Sequence, residues 1–129
     1  MVSADQLLAH VVGDYLLQSD WMARNKTTRS LPAVVHAVTY AVPFLVLRPA
    51  PLGWLVIVAS HFVIDRWRLA RYVCWAGGLL APPPHRRWRE VETTGFPPDR
   101  EPWMSAWLLI IADNTLHVLI NALSLRVRA

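Results

Sequence analysis

The sequence predicts an all-α integral membrane bundle of four transmembrane helices, and three observations support this. Of the 129 residues, 54% are hydrophobic, and the mean hydropathy of +0.29 is high for a soluble domain. Four long apolar segments are separated by short turns or by Pro- and Arg-rich stretches. The first segment carries only a narrow polar stripe, whereas a soluble surface helix has a wide polar face.

The four predicted helices belong to a single domain, residues 1–129, and cover approximately residues 4–21, 31–47, 52–75 and 103–125. Ser3 is the expected N-cap of the first helix, which at about 27 Å is slightly short of a ~30 Å hydrocarbon layer. Pro32 fits the first turn of the second helix, and Pro43 is expected to kink it. The third helix spans to Trp67 and then leaves the membrane or follows its surface.

Residues 77–102 form the predicted non-membrane stretch, an irregular cytoplasmic loop with a basic run from His85 to Arg89. Arg and Lys concentrate here and after the first helix. The positive-inside rule therefore predicts a multi-pass protein of the inner (cytoplasmic) membrane with both termini outside the cytoplasm. The basic run is assigned to this topology and to anionic headgroups. No nucleic-acid partner is expected, because no nucleic-acid-binding motif accompanies the charge.

Polar residues of two types recur in all four predicted helices. His and Asp stand four residues apart in three of them, which places both on one helix face. Counted from the cytoplasmic ends at ~1.5 Å per residue, most of them fall roughly 8–15 Å deep. The candidate site residues are therefore His10, Asp14, His36, His61, Asp65, Asp113 and His117.

Buried Asp residues need compensation, because each costs about 2.5–3.5 kcal/mol near the centre of a span. They can pair with protonated His, be protonated themselves, or bind a cation together with the His residues. His and carboxylate ligands without thiolate suit Zn²⁺, Mn²⁺ or Fe²⁺, and the single cysteine, Cys74, supplies no Cys-based site. Seven candidates suit two metals, or one metal with supporting residues. Gln18 and Asn114 are expected to make hydrogen bonds between helices.

The stretch LLAHVVGDYLLQSDWMARNK, a His early in the second helix, the HFVID motif and a late Asp-Asn-x-x-His motif resemble a domain-of-unknown-function family. Its members are small polytopic membrane proteins of bacteria and their phages. The resemblance covers all four helices but not the Pro- and Arg-rich loop. The last motif of the family usually has Gln where this chain has Asn114. The resemblance implies a membrane protein and assigns importance to the same seven His and Asp residues and to Gln18, and it implies no reaction.

The leading hypothesis is a membrane protein with an intramembrane metal site that acts as a metal-dependent hydrolase on a lipid or lipid-linked substrate. No catalytic residue is assigned. A proton- or ion-conducting or transport bundle, in which the same residues titrate, is the first alternative. A metal-free polar network is also open, as is a non-enzymatic phage or host membrane factor that acts through protein partners. The expected partner is the lipid bilayer, and the small interior is compatible with a homo-oligomer.

Overall fold

A computed structural model of the chain describes residues 2–127, and every regular element within them is helical. A π-helical segment, Val12–Leu16, and a 3-10 helix, Pro43–Leu47, occur beside the α-helices. The all-α prediction is therefore confirmed. The α-helices of the described residues are α1 (Ala4–Val11), α2 (Asp20–Asn25), α3 (Ser30–Ala41), α4 (Pro51–Trp67), α5 (Ala70–Gly78), α6 (Trp88–Val91) and α7 (Pro102–Ser124).

The N-terminal segment differs from the continuous helix predicted over residues 4–21. Ser3 caps α1 as expected, because its Oγ accepts the backbone N–H of Gln6 at 3.2 Å. After Val11 the chain widens into the π segment and then leaves helical geometry. Ser19 starts α2 by accepting the backbone N–H of Met22 at 3.3 Å. A second serine cap thus divides the predicted helix, since its side chain satisfies a first-turn donor.

Two further breaks have local causes. Helix α3 ends at Ala41, just before Pro43, which has no backbone N–H to continue the α-helical bonding, and the chain tightens into the 3-10 helix. The helix predicted over residues 52–75 is interrupted at Arg68, whose φ of 52° is left-handed. A non-glycine residue in that conformation ends a helix, so α4 and α5 are separate.

The contacts divide the chain into two compact units, Met1–Trp67 with His117–Ala129, and Arg68–Leu116. In the first unit, Tyr40, Ala41, Phe44 and Ile57 are fully buried and form the apolar core together with Ala9. The candidate residues Asp14, His36, His61 and Asp65 belong to the same unit as this core.

The second unit is organised by aromatic and Arg contacts. Tyr72 stacks on Trp88 with ring centroids 4.3 Å apart, and Arg71 lies over Trp88. The Arg71 guanidinium also donates to the Glu92 carbonyl at 2.9 Å. Burial raises the pKa of the Cys74 thiol. The loop predicted over residues 77–102 is largely irregular, and α6 is its helical turn.

Two helical stretches of the described residues are long and apolar enough to cross a membrane, Ser30–Leu47 and Pro102–Ser124. The most apolar window of the second is 11% buried, whereas that of the first is 39% buried. Length and composition alone do not separate such stretches from the core helix of a soluble protein. The four-span bundle therefore stays a prediction.

Gly13 provides a test of packing in the first unit. A Cβ on Gly13 would overlap the backbone carbonyl oxygen of Tyr40 on α3, whereas a Cβ on Gly77 would meet no atom within 4 Å. Gly13→Ala is expected to lower the free energy of unfolding by about 1–3 kcal/mol, because backbone would have to shift. Gly77→Ala is the control and should not be destabilising. SDS titration in detergent micelles measures both, and equal stability of the two variants would contradict the close packing.

Candidate metal centre

Three elements of the first unit bring four candidate residues to one point. Asp14 comes from the π segment, His36 from α3, and His61 with Asp65 from α4. The spacing of four residues puts His61 and Asp65 on one face of α4, as the sequence predicts. One ligand atom from each of the four residues lies within 4.8 Å of all the others.

The separations of these atoms fit a metal ion. His36 Nε2 is 3.0 Å from His61 Nε2, and Asp65 Oδ2 is 3.3 Å from the first and 3.2 Å from the second. Asp14 Oδ1 is 3.2 Å from His36 Nε2 and 3.8 Å from His61 Nε2. A tetrahedral ion with bonds of about 2.1 Å holds its ligand atoms about 3.4 Å apart. The four atoms therefore have the spacing of one four-coordinate site.

Burial makes this group costly without a cation. His36 is completely buried, and Asp14 and Asp65 are 6% and 5% exposed. Two carboxylates this close repel one another where water cannot screen them. The Nδ1 atoms of His36 and His61 are buried without a hydrogen-bond partner in the described part of the chain. The two rings are thus held by packing, without the outer hydrogen bonds that usually orient metal-binding His.

Lys26, just after α2, supplies the positive charge nearest to the two carboxylates. Its Nζ lies 2.8 Å from Asp65 Oδ2 and 3.9 Å from Asp14 Oδ1. The same Nζ lies 3.1 Å from His36 Nε2. Its side chain is 17% exposed, more than the carboxylates it contacts. Lys26 therefore lies on the more solvent-accessible side of the group.

Both carboxylate oxygens of Asp65 make polar contacts. Its Oδ2 atom faces Lys26, His36 and His61, and its Oδ1 atom lies 3.3 Å from His117 Nε2. His117 is 1% exposed, and its ring centroid is 4.1 Å from that of His61. His117 thus contacts a candidate ligand and does not belong to the four-residue group.

A second polar cluster forms around Tyr40, which stacks on His61 with ring centroids 3.6 Å apart. The Tyr40 hydroxyl lies 2.8 Å from His10 Nδ1, and it accepts a hydrogen bond from Asn121 Nδ2. His10 is therefore one step removed from the candidate ligands. The chain changes from α to π geometry between His10 and Asp14, and metal ligation by His10 stays a prediction.

The remaining predicted residues are Gln18, Asp113 and Asn114. Gln18 follows the π segment outside any helix, and its Oε1 atom is buried without a partner in residues 2–127, so the helix-to-helix bond expected of it is not formed at that atom. Asp113 lies on α7 in the second unit, one turn before His117. Asn114 donates to the Ile110 carbonyl of its own helix at 2.7 Å. Metal ligation by Asp113 stays a prediction.

Sequence reasoning missed Lys26 and Tyr40. Lys26 was counted only as a loop charge, although it is the single lysine among the 13 basic residues, a signal that could have singled it out. Tyr40 follows His36 by four residues, so the same spacing rule that selected the other pairs could have selected it.

Comparison with known proteins bears out the resemblance. The model of a family described as "Protein of unknown function (DUF3307)" matches residues 2–126. No curated protein and no solved structure matches the chain. Because the family match covers nearly the whole sequence, the chain belongs to the DUF3307 family.

Proposed function

We propose that this chain is a membrane protein that binds one divalent metal ion at Asp14, His36, His61 and Asp65. The observation that supports the proposal most directly is the convergence of four buried ligand atoms at separations suited to a tetrahedral ion. Two imidazoles and two carboxylates suit Zn²⁺, Mn²⁺ or Fe²⁺, and two negative charges balance a divalent ion.

The reaction proposed for this site is hydrolysis. A bound metal with a fifth coordination position open to water, beside the four ligand residues, would lower the pKa of that water molecule and would polarise the bond to be cleaved. The four ligand residues, which come from the π segment, α3 and α4, would hold the metal ion. His117, beside Asp65 Oδ1, is placed to hold a proton near the site, and Tyr40 fixes the plane of the His61 ring by stacking on it.

A lipid or lipid-linked substrate is proposed from the apolar surface of the helices. The two stretches long enough to cross a membrane expose many large apolar side chains, which is unusual for a soluble monomer. A multi-pass protein of the inner membrane with both termini outside, and a homo-oligomer in that membrane, belong to the same proposal. The exposed residues include Leu31, Val34, Val38, Trp103, Trp107, Ile111, Leu119 and Leu123.

Elemental analysis of detergent-purified protein tests the metal site. We expect one Zn, Mn or Fe per chain in the parent, and none in a His61→Ala/Asp65→Ala double variant. A matched control is His85→Ala/Asp99→Ala, which changes the same residue types at exposed positions and should retain the metal. Circular dichroism and size-exclusion chromatography check that the variants are folded. Metal-free parent protein that stays metal-free after reconstitution with all three ions would contradict the proposal.

A proton or ion path is the second candidate function, and it is favoured by the continuity of the polar contacts. Asp14, His36, His61, Asp65 and His117 follow one another at separations of 3.0–3.3 Å. Such a row can pass protons through its own side chains. The test measures proton or ion flux into proteoliposomes. A flux that is lower for Asp14→Asn than for the parent, and unchanged for Asp20→Asn, would support this candidate over the hydrolase.

A further inference from the structure

The contact between Lys26 and His36 bears on how the metal site is filled. A lysine ammonium is a donor only, and a neutral imidazole nitrogen without hydrogen has one lone pair. At 3.1 Å, Lys26 Nζ can bond to His36 Nε2 only if that nitrogen accepts. The same lone pair is the one that a metal at this site would need.

The contact with Asp65 leads to the same conclusion. Lys26 Nζ is 2.8 Å from Asp65 Oδ2, and a metal ion bonded to that oxygen would lie about 2.0–2.2 Å from it. The two cations would then be at most about 5 Å apart in a buried group, where their repulsion is weakly screened. With neutral His residues, the negative charge of the two carboxylates balances that of a divalent ion. The ammonium alone neutralises only part of the carboxylate charge. A divalent ion and the ammonium together would leave excess positive charge.

From these contacts, and resting on the proposed metal site, we propose that Lys26 is a built-in cation that closes the metal-free site and is displaced when the metal binds. The lysine is placed for such a movement. It follows α2 at the start of the loop to α3, and its side chain is the most exposed of those that contact the carboxylates. A flexible four-carbon stem allows the ammonium to leave without movement of the backbone.

Displacement has two consequences that can be measured. The ammonium must become more accessible to reagents when metal binds. The metal must also bind more weakly than it would at the same ligands without lysine, because one charge-assisted contact has to be broken first. The expected difference in affinity is roughly ten- to a hundredfold, the size of one such contact.

The accessibility test uses the parent protein, because Lys26 is the only lysine in the sequence. Detergent-purified protein is acetylated with a limiting amine reagent at fixed pH, with chelator or with saturating Zn²⁺ or Mn²⁺, and Lys26 acetylation is followed by mass spectrometry of the digest. A lysine-containing peptide in the same tube corrects for effects of metal on the reagent. We expect metal to raise the acetylation rate of Lys26 about tenfold relative to the peptide. Bound metal with an unchanged or lower rate would overturn the inference.

The affinity test compares Lys26→Met with Arg24→Met by calorimetric titration of Zn²⁺ and Mn²⁺. Arg24 lies on α2, two residues before Lys26, is exposed, and pairs with Asp20 outside the group, so its variant makes the same charge change without touching the site. We expect Lys26→Met to bind metal roughly ten- to a hundredfold more tightly than the parent, and Arg24→Met to bind like the parent.

The outcomes separate the two proposals. If only the Lys26→Met variant binds metal, or if it binds metal more tightly than the parent, the displacement is supported. Equal affinities in parent and variant would overturn the displacement and leave the metal site standing. No binding by either protein would overturn both. If Lys26→Met does not fold, the acetylation test on the parent decides.

Discussion

Asp65→Asn is expected to be among the most destabilising single changes in the chain. The substitution keeps the size of the side chain and removes the negative charge that faces Lys26, His36 and His61. Removing one partner from a buried charged group leaves the other charge without compensation, which costs about 3–5 kcal/mol. We therefore expect the free energy of unfolding of the metal-free protein, measured by SDS titration in micelles, to fall by about that amount.

Asp20→Asn is the matched control for this prediction. Asp20 pairs with Arg24 at 2.8 Å, but both side chains are about three-quarters exposed, so water screens the pair. Its loss should change the free energy of unfolding by less than about 1 kcal/mol. If Asp65→Asn were as mild as Asp20→Asn, the contacts of Asp65 would not contribute to stability, and the buried group would have to be neutral or hydrated.

Sequence reasoning identified the residues of the site on α3 and α4 because both helices are regular where those residues lie. His61 and Asp65 stand four residues apart inside the continuous α4, so an ideal helix predicts their common face. His36 lies inside α3, well before the break at Pro43. For these residues, spacing along the chain translates directly into position in space.

The same reasoning is less direct where helix geometry changes. His10 and Asp14 have the same spacing of four, but the chain enters the π segment between them; His10 contacts Tyr40, and Asp14 contacts His36. Gln18 falls beyond the end of that segment. The left-handed Arg68 between α4 and α5 has no composition signal, since no Pro or Gly stands at that position.

The contacts of Lys26 could not be predicted for a different reason, although it stands out as the single lysine of the sequence. Counting charges by loop assigns every Arg and Lys to the membrane surface, and the rule does not consider a flexible side chain that turns back toward a buried carboxylate. The ion pair of Lys26 with Asp65 joins residues far apart in sequence, so no local pattern predicts it. Contacts of this kind follow from tertiary packing.

Tyr40→Ala is the second change for which we expect a large effect. Tyr40 is completely buried, stacks on His61, and packs against Phe44. Its truncation removes an aromatic ring from the core and leaves His10 and Asn121 without the hydroxyl that joins them. By analogy with other aromatic truncations, the free energy of unfolding should fall by about 3–5 kcal/mol.

Tyr40→Phe separates the two contributions, because it keeps the ring and removes only the hydroxyl. We expect a loss of about 1–3 kcal/mol, the cost of removing a buried hydroxyl from its hydrogen bonds to His10 and Asn121. Tyr72→Phe is the control, since Tyr72 is 42% exposed and its ring still stacks on Trp88. A Tyr40→Phe variant as stable as Tyr72→Phe would mean that His10 and Asn121 find other partners. The destabilisation by Tyr40→Ala would then come from packing against His61 and Phe44 alone.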